Sequence, residues 1–382
     1  MKLTTYAKNL HELNVIKSQG LVEVILEPKS LSRFGKLSND EFIVLADRCS
    51  QLGLRVLLEW DILMTENVFV SKINDVKLLL PYTSALRVQD PGALHWAIEN
   101  TDRPLQFIAE NGNHNLKALQ GWIELAEGRI ERIVLSIELS KSTIEEYTLK
   151  LKTPCELLVF GRILLFYTPR PLLSSLSSEA LAHNEEIAAV GESEESPHKG
   201  FPLVENTHGT FMFHIKEFCL IEYAHELRAM GLSYLRIDQR WEKSYITEII
   251  NLILNFDVLG FDAFKELYHQ DLMRGFYLVN KTDILFPKLK NSRLQKREAD
   301  YVGEILEVEK GSHLAIMVKN SRGLRITDLI KILHPKGEVF ESKIYFLKNL
   351  DLEEVEFIPA GHLALVQFIG GVWAKSQVFY QT

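Results

Sequence analysis

The sequence predicts an α/β protein, a (β/α)8 TIM-like barrel followed by a small C-terminal antiparallel β-barrel, and three observations predict it. Eight strand-like apolar segments recur up to residue 237, most of them separated by helix-patterned segments. None is followed by a Gly-x-Gly-x-x-Gly turn, which argues against an open dinucleotide-binding sheet. After Phe286 the helical pattern gives way to short alternating strands.

At 382 residues the chain exceeds one compact core. The expected division is a barrel domain over 1–287 with an irregular insertion at 174–200, a basic linker over 288–299 and a small β-barrel over 300–382. A hydrophobic content of 46% supports a full core. The longest apolar runs fall short of the ~20 residues of a membrane span, and the N-terminus lacks the basic-then-apolar order of a signal peptide. The expectation is a cytoplasmic protein without membrane association. Cys49, Cys155 and Cys219 are odd in number with no Cys-x-x-Cys, which argues against a disulfide scaffold and against structural zinc. Three buried reduced thiols are expected. A net charge of -8 excludes indiscriminate nucleic-acid binding, so any RNA contact has to be local.

Taken in order, residues 8–19 have a helical pattern and 22–26 form a strand ending at Glu27-Pro28. Asn39 caps a helix through Ser50 whose apolar Phe42, Leu45, Ala46 and Cys49 recur at steps of three and four. Gly53 ends it, and 54–58 is the next strand. Further strands are expected at 85–88, 105–109, 132–137, 157–160, 211–213 and 234–237. Asp90-Pro91 opens a helix at Ala93, Asn115 caps another through Ala126, and Ser142 begins a short one. Gly161 stops the run 157–160, which would put Arg162 just past a strand end. Residues 174–200 replace periodic apolar positions by Ser, Glu and small residues, so they read as irregular. A helix over 217–230, closed by Gly231, leads to the last strand. In the small domain, strands are expected at 301–308, 313–318, 325–332, 338–344 and 363–368, with a tight turn at His334-Pro-Lys-Gly337.

Barrel topology makes the polar residues after the strands converge on one mouth: Glu27, Glu59, Asp61, Asp90, Glu110, Asn111, Glu138, Arg162, Asp238 and Arg240. The expected ligand-binding set is Arg162, Asp238 and Arg240 with Glu59, Asp61, Asp90 and Asn111. Arginines held among carboxylates offer forked donors to a carboxylate or phosphate, and a crowded acid can keep its proton. The same residues can equally form mutually paired ions that merely close the barrel top. Hydrolytic and metal signatures are missing: there is no His-Glu-x-x-His and no Gly-x-Ser-x-Gly, and His95, His114, His208 and His214 lack ligand spacing. Ser174 and Ser175 read as solvated loop residues, and no catalytic residue is assigned. Lys288, Lys290, Arg293, Lys296 and Arg297 can track an RNA backbone beside a small barrel, or serve as a solvated connector.

The segment Glu156-Leu-Leu-Val-Phe-Gly-Arg162, with Arg170 and Leu173-Ser174-Ser175, resembles the Glu-x-x-x-His-Gly, Ser-Gly-x-Cys and Leu-Ser-Ser frame of the peptidase family of unknown catalytic type that holds the collagenase-like proteases. Arg236-Ile-Asp-Gln-Arg240 with Tyr245-Ile246 resembles that family's Lys-Ile-Glu-Gly-Arg and Tyr-Val elements. Arg274-Gly275-Phe276 is similar to its Arg-Gly-Phe, and Tyr301-Val-Gly-Glu304 to the opening of its C-terminal domain. The family includes prephenate-dependent RNA hydroxylation proteins and oxygen-independent ubiquinone hydroxylation proteins, and Phe160-Gly161-Arg162 is similar to the ubiquinone branch. Where members carry cluster-binding cysteines this chain aligns Leu164 and Pro171, and 176–202 contains no cysteine. The resemblance therefore implies the lineage without its iron–sulfur cluster, and no cofactor is expected. It implies three functional classes: an enzyme or binding subunit linked to RNA modification by hydroxylation, a collagenase-like peptidase, and a non-catalytic subunit. The corresponding partners are RNA, a small anionic ligand and a cluster-bearing protein.

Overall fold

The computed structural model describes residues 2–110, 115–174, 186–192, 199–241, 245–268, 270–278, 300–334 and 338–381. Asn111, His114, Ser175, residues 335–337 and the linker cations Lys288, Lys290, Arg293, Lys296 and Arg297 lie outside these. Two compact units are present, Met1–Ile284 and Leu285–Thr382.

In the first unit β1 (Lys2–Thr5), α1 (Leu10–Ser18), β2 (Glu23–Leu26), α2 (Asn39–Leu52), β3 (Arg55–Trp60), α3 (Glu66–Leu79), β4 (Ala85–Val88), α4 (Pro91–Asn100), β5 (Leu105–Ile108), α5 (Leu116–Leu125), β6 (Ile130–Val134) and α6 (Lys141–Lys150) alternate. There follow β7 (Cys155–Thr168), β8 (Glu186–Glu192), β9 (Lys199–Asn206), β10 (Gly209–Cys219), α7 (Ala224–Ala229), β11 (Tyr234–Ile237), α8 (Ile246–Leu254), α9 (Val258–Leu267) and β12 (Leu272–Met273). Local chemistry sets the helix starts. Ser38 and Glu41 form a reciprocal capping box on α2, Asp90 caps α4 with Pro91 in the first turn, and Asn115 and Ser140 cap α5 and α6. Gly53 closes α2 in the left-handed conformation.

Strands β2 to β7 pair in parallel in sequence order, β7 also pairs with β11, and β11 with β1. One face of this sheet, with Val24, Leu26, Val56, Leu58, Leu86 and Val88, packs on the helices in a single core. The opposite alternation carries Glu23, Glu59, Arg87, Gln106, Arg132, Glu156 and Arg236, all buried. Arg132 on β6 donates to Glu23 on β2, four places away in the pairing order, so the sheet curls strongly around these groups. The result is a TIM-like, parallel-rich curled sheet.

Several expectations are corrected. Gly161 does not stop a strand: with φ at 151° it lies inside β7, which continues to Thr168 and places Arg162 within the strand. Residues 211–213 belong to β10, which is antiparallel to β7 and β9 rather than part of the parallel series. The parallel strand that the pattern reading missed is β1, a short stretch whose two threonines mask its burial. The expected helix 217–230 shrinks to α7, because β10 runs on to Cys219 and buries Phe218 in the core. Part of the expected irregular insertion is strand, since β8 pairs antiparallel with β9.

The second unit contains β13 (Tyr301–Glu309), β14 (His313–Val318), β15 (Leu324–Arg325), β16 (Leu329–Leu333), β17 (Val339–Lys343), β18 (Leu347–Lys348), β19 (Phe357–Ile358), β20 (Leu363–Gln367) and β21 (Gln377–Tyr380). Seven of these form one curled antiparallel sheet in the order β17-β16-β21-β13-β14-β20-β18. Its alternating Val302, Ile305, Leu314, Ile316, Ile330, Ile332 and Val378 build a separate core. The expected strand 325–332 is broken at Thr327, whose φ is 76°. Among the described residues no helix is long and apolar enough to cross a membrane.

Candidate functional site

The buried face of the curled sheet is an ionic network. Arg87 on β4 donates to Glu59 (2.6 Å), to Gln106 (2.7 Å) and twice to Glu156 (2.9 Å each). Arg132 donates to Glu23 (2.8 and 2.9 Å) and Glu156 (2.9 Å), and its guanidinium lies 3.3 Å from the centre of the Tyr234 ring. Arg236 on β11 pairs with Glu156 at 3.1 Å, donates to the Tyr6 hydroxyl at 2.7 Å and also bonds Glu110. Burial would raise the Glu156 carboxyl, but Arg87, Arg132 and Arg236 outweigh it and hold the group at about 2.

At the carboxyl ends of the parallel strands this network opens into a cavity of about 260 Å³. Its polar wall includes Arg33, Glu59, Asp61, Glu110, Glu138, Arg162, Arg236, Asp238 and Arg240, and Tyr6, Phe34, Phe213 and Trp241 supply aromatic surface. Asp61 accepts from the Arg33 backbone N–H (2.7 Å) and from Arg33 Nε (2.8 Å). Burial raises Asp61, yet Arg33 prevails and keeps it below the ordinary carboxylate range. Asp238 is held low in the same way, by Arg240, which donates to it through Nε (2.8 Å) and Nη2 (2.6 Å). Glu59 is raised, because burial exceeds the pull of Arg87 and Asp61 adds repulsion. Arg162 lies 3.6 Å from Glu217 and 5.5 Å from the centre of the Trp241 ring.

Gly161 has a steric reason here. A Cβ at that position would stand 2.7 Å from the Asp238 Cβ and 3.0 Å from its carbonyl oxygen, so glycine lets β7 approach the end of β11.

Of the residues that the sequence singles out, Arg162, Asp238, Arg240, Glu59 and Asp61 share the cavity, as do Glu110 and Glu138. Glu27 sits behind Arg240, to which it is bonded. Asp90 is not among the cavity residues: its side chain accepts the Ala93 N–H at 3.0 Å and is spent on capping α4. Ser174 is buried rather than solvated, since its N–H and that of Leu173 donate to Glu205 (2.9 and 2.7 Å). Arg33, Tyr6, Arg236 and Trp241 were missed. For Arg236 the signal was present, because it stands on β11 two residues before Asp238, which directly follows the strand. Arg33 lies in the connection between β2 and α2, where periodicity carries no information.

Cys49, Cys155 and Cys219 are free and buried, and burial pushes each thiol up to about 12. Iron–sulfur clusters are held by thiolates, which these positions disfavour, and Leu164 packs beside Phe211 and Phe213 as part of an apolar cluster. The residues present do not fit the cluster of the resembled family. Among the described residues no group of three or more His, Cys, Asp or Glu side chains is arranged to hold a metal ion.

Fold and cavity together define a TIM-like α/β protein with an arginine–carboxylate pocket at the carboxyl ends of its strands. The chain belongs to Peptidase family U32, whose model matches residues 8–253. Similar solved structures include the U32 peptidase Mk0906 (12% identity, TM-score 0.39, covering 64% of this chain and 94% of that one). The C-terminal domain of a U32 peptidase from Geobacillus thermoleovorans is similar at 14% identity, TM-score 0.21, over 25% of this chain and 100% of that one. Phosphoribosylanthranilate isomerase from Pyrococcus furiosus is similar at 9% identity, TM-score 0.38, over 66% of this chain and 96% of that one. No curated protein matches.

Proposed function

We propose that this U32 member holds a small carboxylate- or phosphate-bearing ligand in the arginine-lined cavity and acts in RNA modification. The observation that carries the reading is the convergence of Arg33, Arg162, Arg236 and Arg240 on one cavity of about 260 Å³. In this reading the parallel strands close into an eight-stranded barrel. The β1–β11 pairing, the parallel bridge between Tyr6 and Ile25 and the Ala7 N–H to Ile25 carbonyl bond (3.2 Å) support closure. The curled antiparallel sheet of the second unit is the small barrel. Arg162 is the arginine chosen for the test, because it lines this cavity and not the neighbouring cavity that Arg240 also lines. A charge-assisted bond of about 1.5–3 kcal/mol corresponds to roughly 10- to 100-fold in affinity. Calorimetric titration with malonate and with inorganic phosphate tests this: binding is expected, weakened by that factor in Arg162→Gln. Failure of both anions to bind would remove the reading.

The peptidase alternative has the family's name in its favour. A cysteine nucleophile is not offered for it, since no cysteine lines the cavity and burial raises all three thiols. Release of peptides from casein or gelatin by the purified chain would support that alternative. A non-catalytic subunit, working with a cluster-bearing partner, would bind the same anion without turnover. The RNA link rests on the resemblance to the hydroxylation proteins and on the linker cations. Replacing Lys288, Lys290 and Arg293 by glutamate is expected to abolish a salt-sensitive retention of RNA from cell extract. Unchanged retention at low salt would leave the linker as a connector.

A further inference from the structure

A second cavity, of about 420 Å³, opens on the other side of Tyr6, Phe34 and Arg240, which belong to the walls of both. The Arg240 guanidinium forms much of this partition, lying 3.9 Å from the Tyr6 ring centre and 5.2 Å from that of Phe34 while Asp238 holds its edge. The second cavity has an apolar strip, with Thr5, Gln239 and Thr247 also in its lining and Lys8, His11, Lys36 and Glu248 exposed at its rim. Ala7, Ile16, Leu37 and Ile246, all buried, come from four separate stretches of chain around the seam between β11, β1 and β2. Its buried end carries Glu27, 7% exposed, beside Arg240. The cations at the mouth are already engaged: Lys8 lies 3.9 Å from Glu12, and Lys36 is bonded to Glu186. The buried charged groups are therefore at the Glu27–Arg240 end, beside the apolar strip.

We propose that this second cavity is a binding site in its own right for an amphiphilic small molecule, with an apolar body against Ala7, Ile16 and Leu37 and one carbonyl or carboxylate oxygen directed at Glu27 and Arg240. Its volume is that of a pocket for a compact organic ligand, and an apolar strip beside a buried charged end fixes orientation as well as affinity. Burial pushes the Glu27 carboxyl up to about 8; Arg240, shared with Asp238, lowers it less, and Glu59, Asp61 and Asp238 raise it further. Near neutral pH the buried end thus presents a carboxylic acid O–H together with guanidinium N–H groups, a donor-rich surface that suits an acceptor oxygen. The inference goes beyond the anion cavity: apart from the shared Tyr6, Phe34 and Arg240 its walls are other residues, and its ligand is an amphiphile rather than a compact anion.

The test uses the full chain and 2-naphthoate, a fluorescent probe with a flat apolar body and one carboxylate, alongside malonate as the probe of the first cavity. Saturable naphthoate binding that malonate does not displace is expected. Val15→Trp on α1 and Thr247→Trp on α8 fill the second cavity from two different helices. Each, once circular dichroism shows it folded, is expected to weaken naphthoate at least tenfold and to leave malonate unchanged, whereas Arg162→Gln does the reverse. Loss of malonate binding in the parent with naphthoate binding retained would refute the first-cavity reading and support this one. Absence of saturable naphthoate binding, its displacement by malonate, or its persistence in a folded tryptophan variant would overturn the proposal.

Discussion

Glu156 is the carboxylate on which three buried guanidiniums depend, so Glu156→Gln is the sharpest perturbation of the first unit. It accepts three hydrogen bonds of 2.9 Å from Arg87 and Arg132 and pairs with Arg236 at 3.1 Å, with no exposure of its own. Two independent routes give the magnitude. Removing one member of a buried ion pair leaves uncompensated charge and typically loses about 3–5 kcal/mol. A carboxyl held at about 2 in the folded chain, against 4.5 when unfolded, is linked to about 3 kcal/mol at neutral pH. Because the folded value is the lower one, this contribution is complete above pH 4.5 and is lost as the pH falls toward 2. Urea unfolding followed by tryptophan fluorescence reports mainly on the first unit, which holds Trp60, Trp96, Trp122 and Trp241, four of the five tryptophans. The variant is expected to lose about 3–5 kcal/mol at pH 7, with the gap to the parent narrowing at pH 3. A loss under about 1 kcal/mol at pH 7, or a gap that does not narrow with acid, would refute the reasoning.

Glu27 has the opposite sign. Its folded value of about 8 exceeds the unfolded 4.5, so the stability linked to its retained proton falls as pH rises from 4.5 through 8. Glu27→Gln is therefore expected to melt with a smaller drop than the parent between pH 6 and 9, and parallel drops by circular dichroism would rule this out. Gly161→Ala forces a contact of 2.7 Å with Asp238 at a φ of 151°, so it should lose about 1–3 kcal/mol in thermal melting and weaken malonate binding. Anaerobically purified protein is expected to contain only trace iron and acid-labile sulfide, and a stoichiometric yield of both would show that the buried thiols had been misjudged.

Helix starts were legible in the sequence because side-chain caps are local: Asp90 and Asn115 act within one turn, whereas α2 is capped by Ser38 with Glu41 rather than by the expected Asn39. Strand continuity was not, because it depends on distant partners. Gly161 reads as a stop in isolation, yet β7 runs on through it, paired with β10 at Phe218 and lying close against Asp238 just past β11. The same holds for 217–230, where Leu220, Ala224 and Leu227 recur near helical spacing although the first residues are paired in a sheet. Site residues were visible where they followed a strand and invisible where, like Arg33, they lay in a long connection; Asp90 follows a strand and was expected at the site, but its local use in capping α4 keeps it out of the cavity.

The ionic interior shows why charge in a strand is ambiguous. Ala85-Leu-Arg-Val88 and Leu105-Gln-Phe-Ile108 have the apolar–polar alternation of a strand with one face in water, but their polar face is turned into the curl of the sheet and buried. Only the pairing geometry separates the two cases, since Arg87 can afford no exposure once Glu59, Gln106 and Glu156 saturate it. This arrangement bears on binding. Arg236 has its Nε in an ion pair with Glu156 at 3.1 Å and its other nitrogens hydrogen-bonded to Tyr6 and Glu110, so the network below the cavity fixes the direction from which Asp238 and Arg240 emerge two and four residues later. A cavity whose charged wall is anchored in this way loses little side-chain freedom when an anion enters.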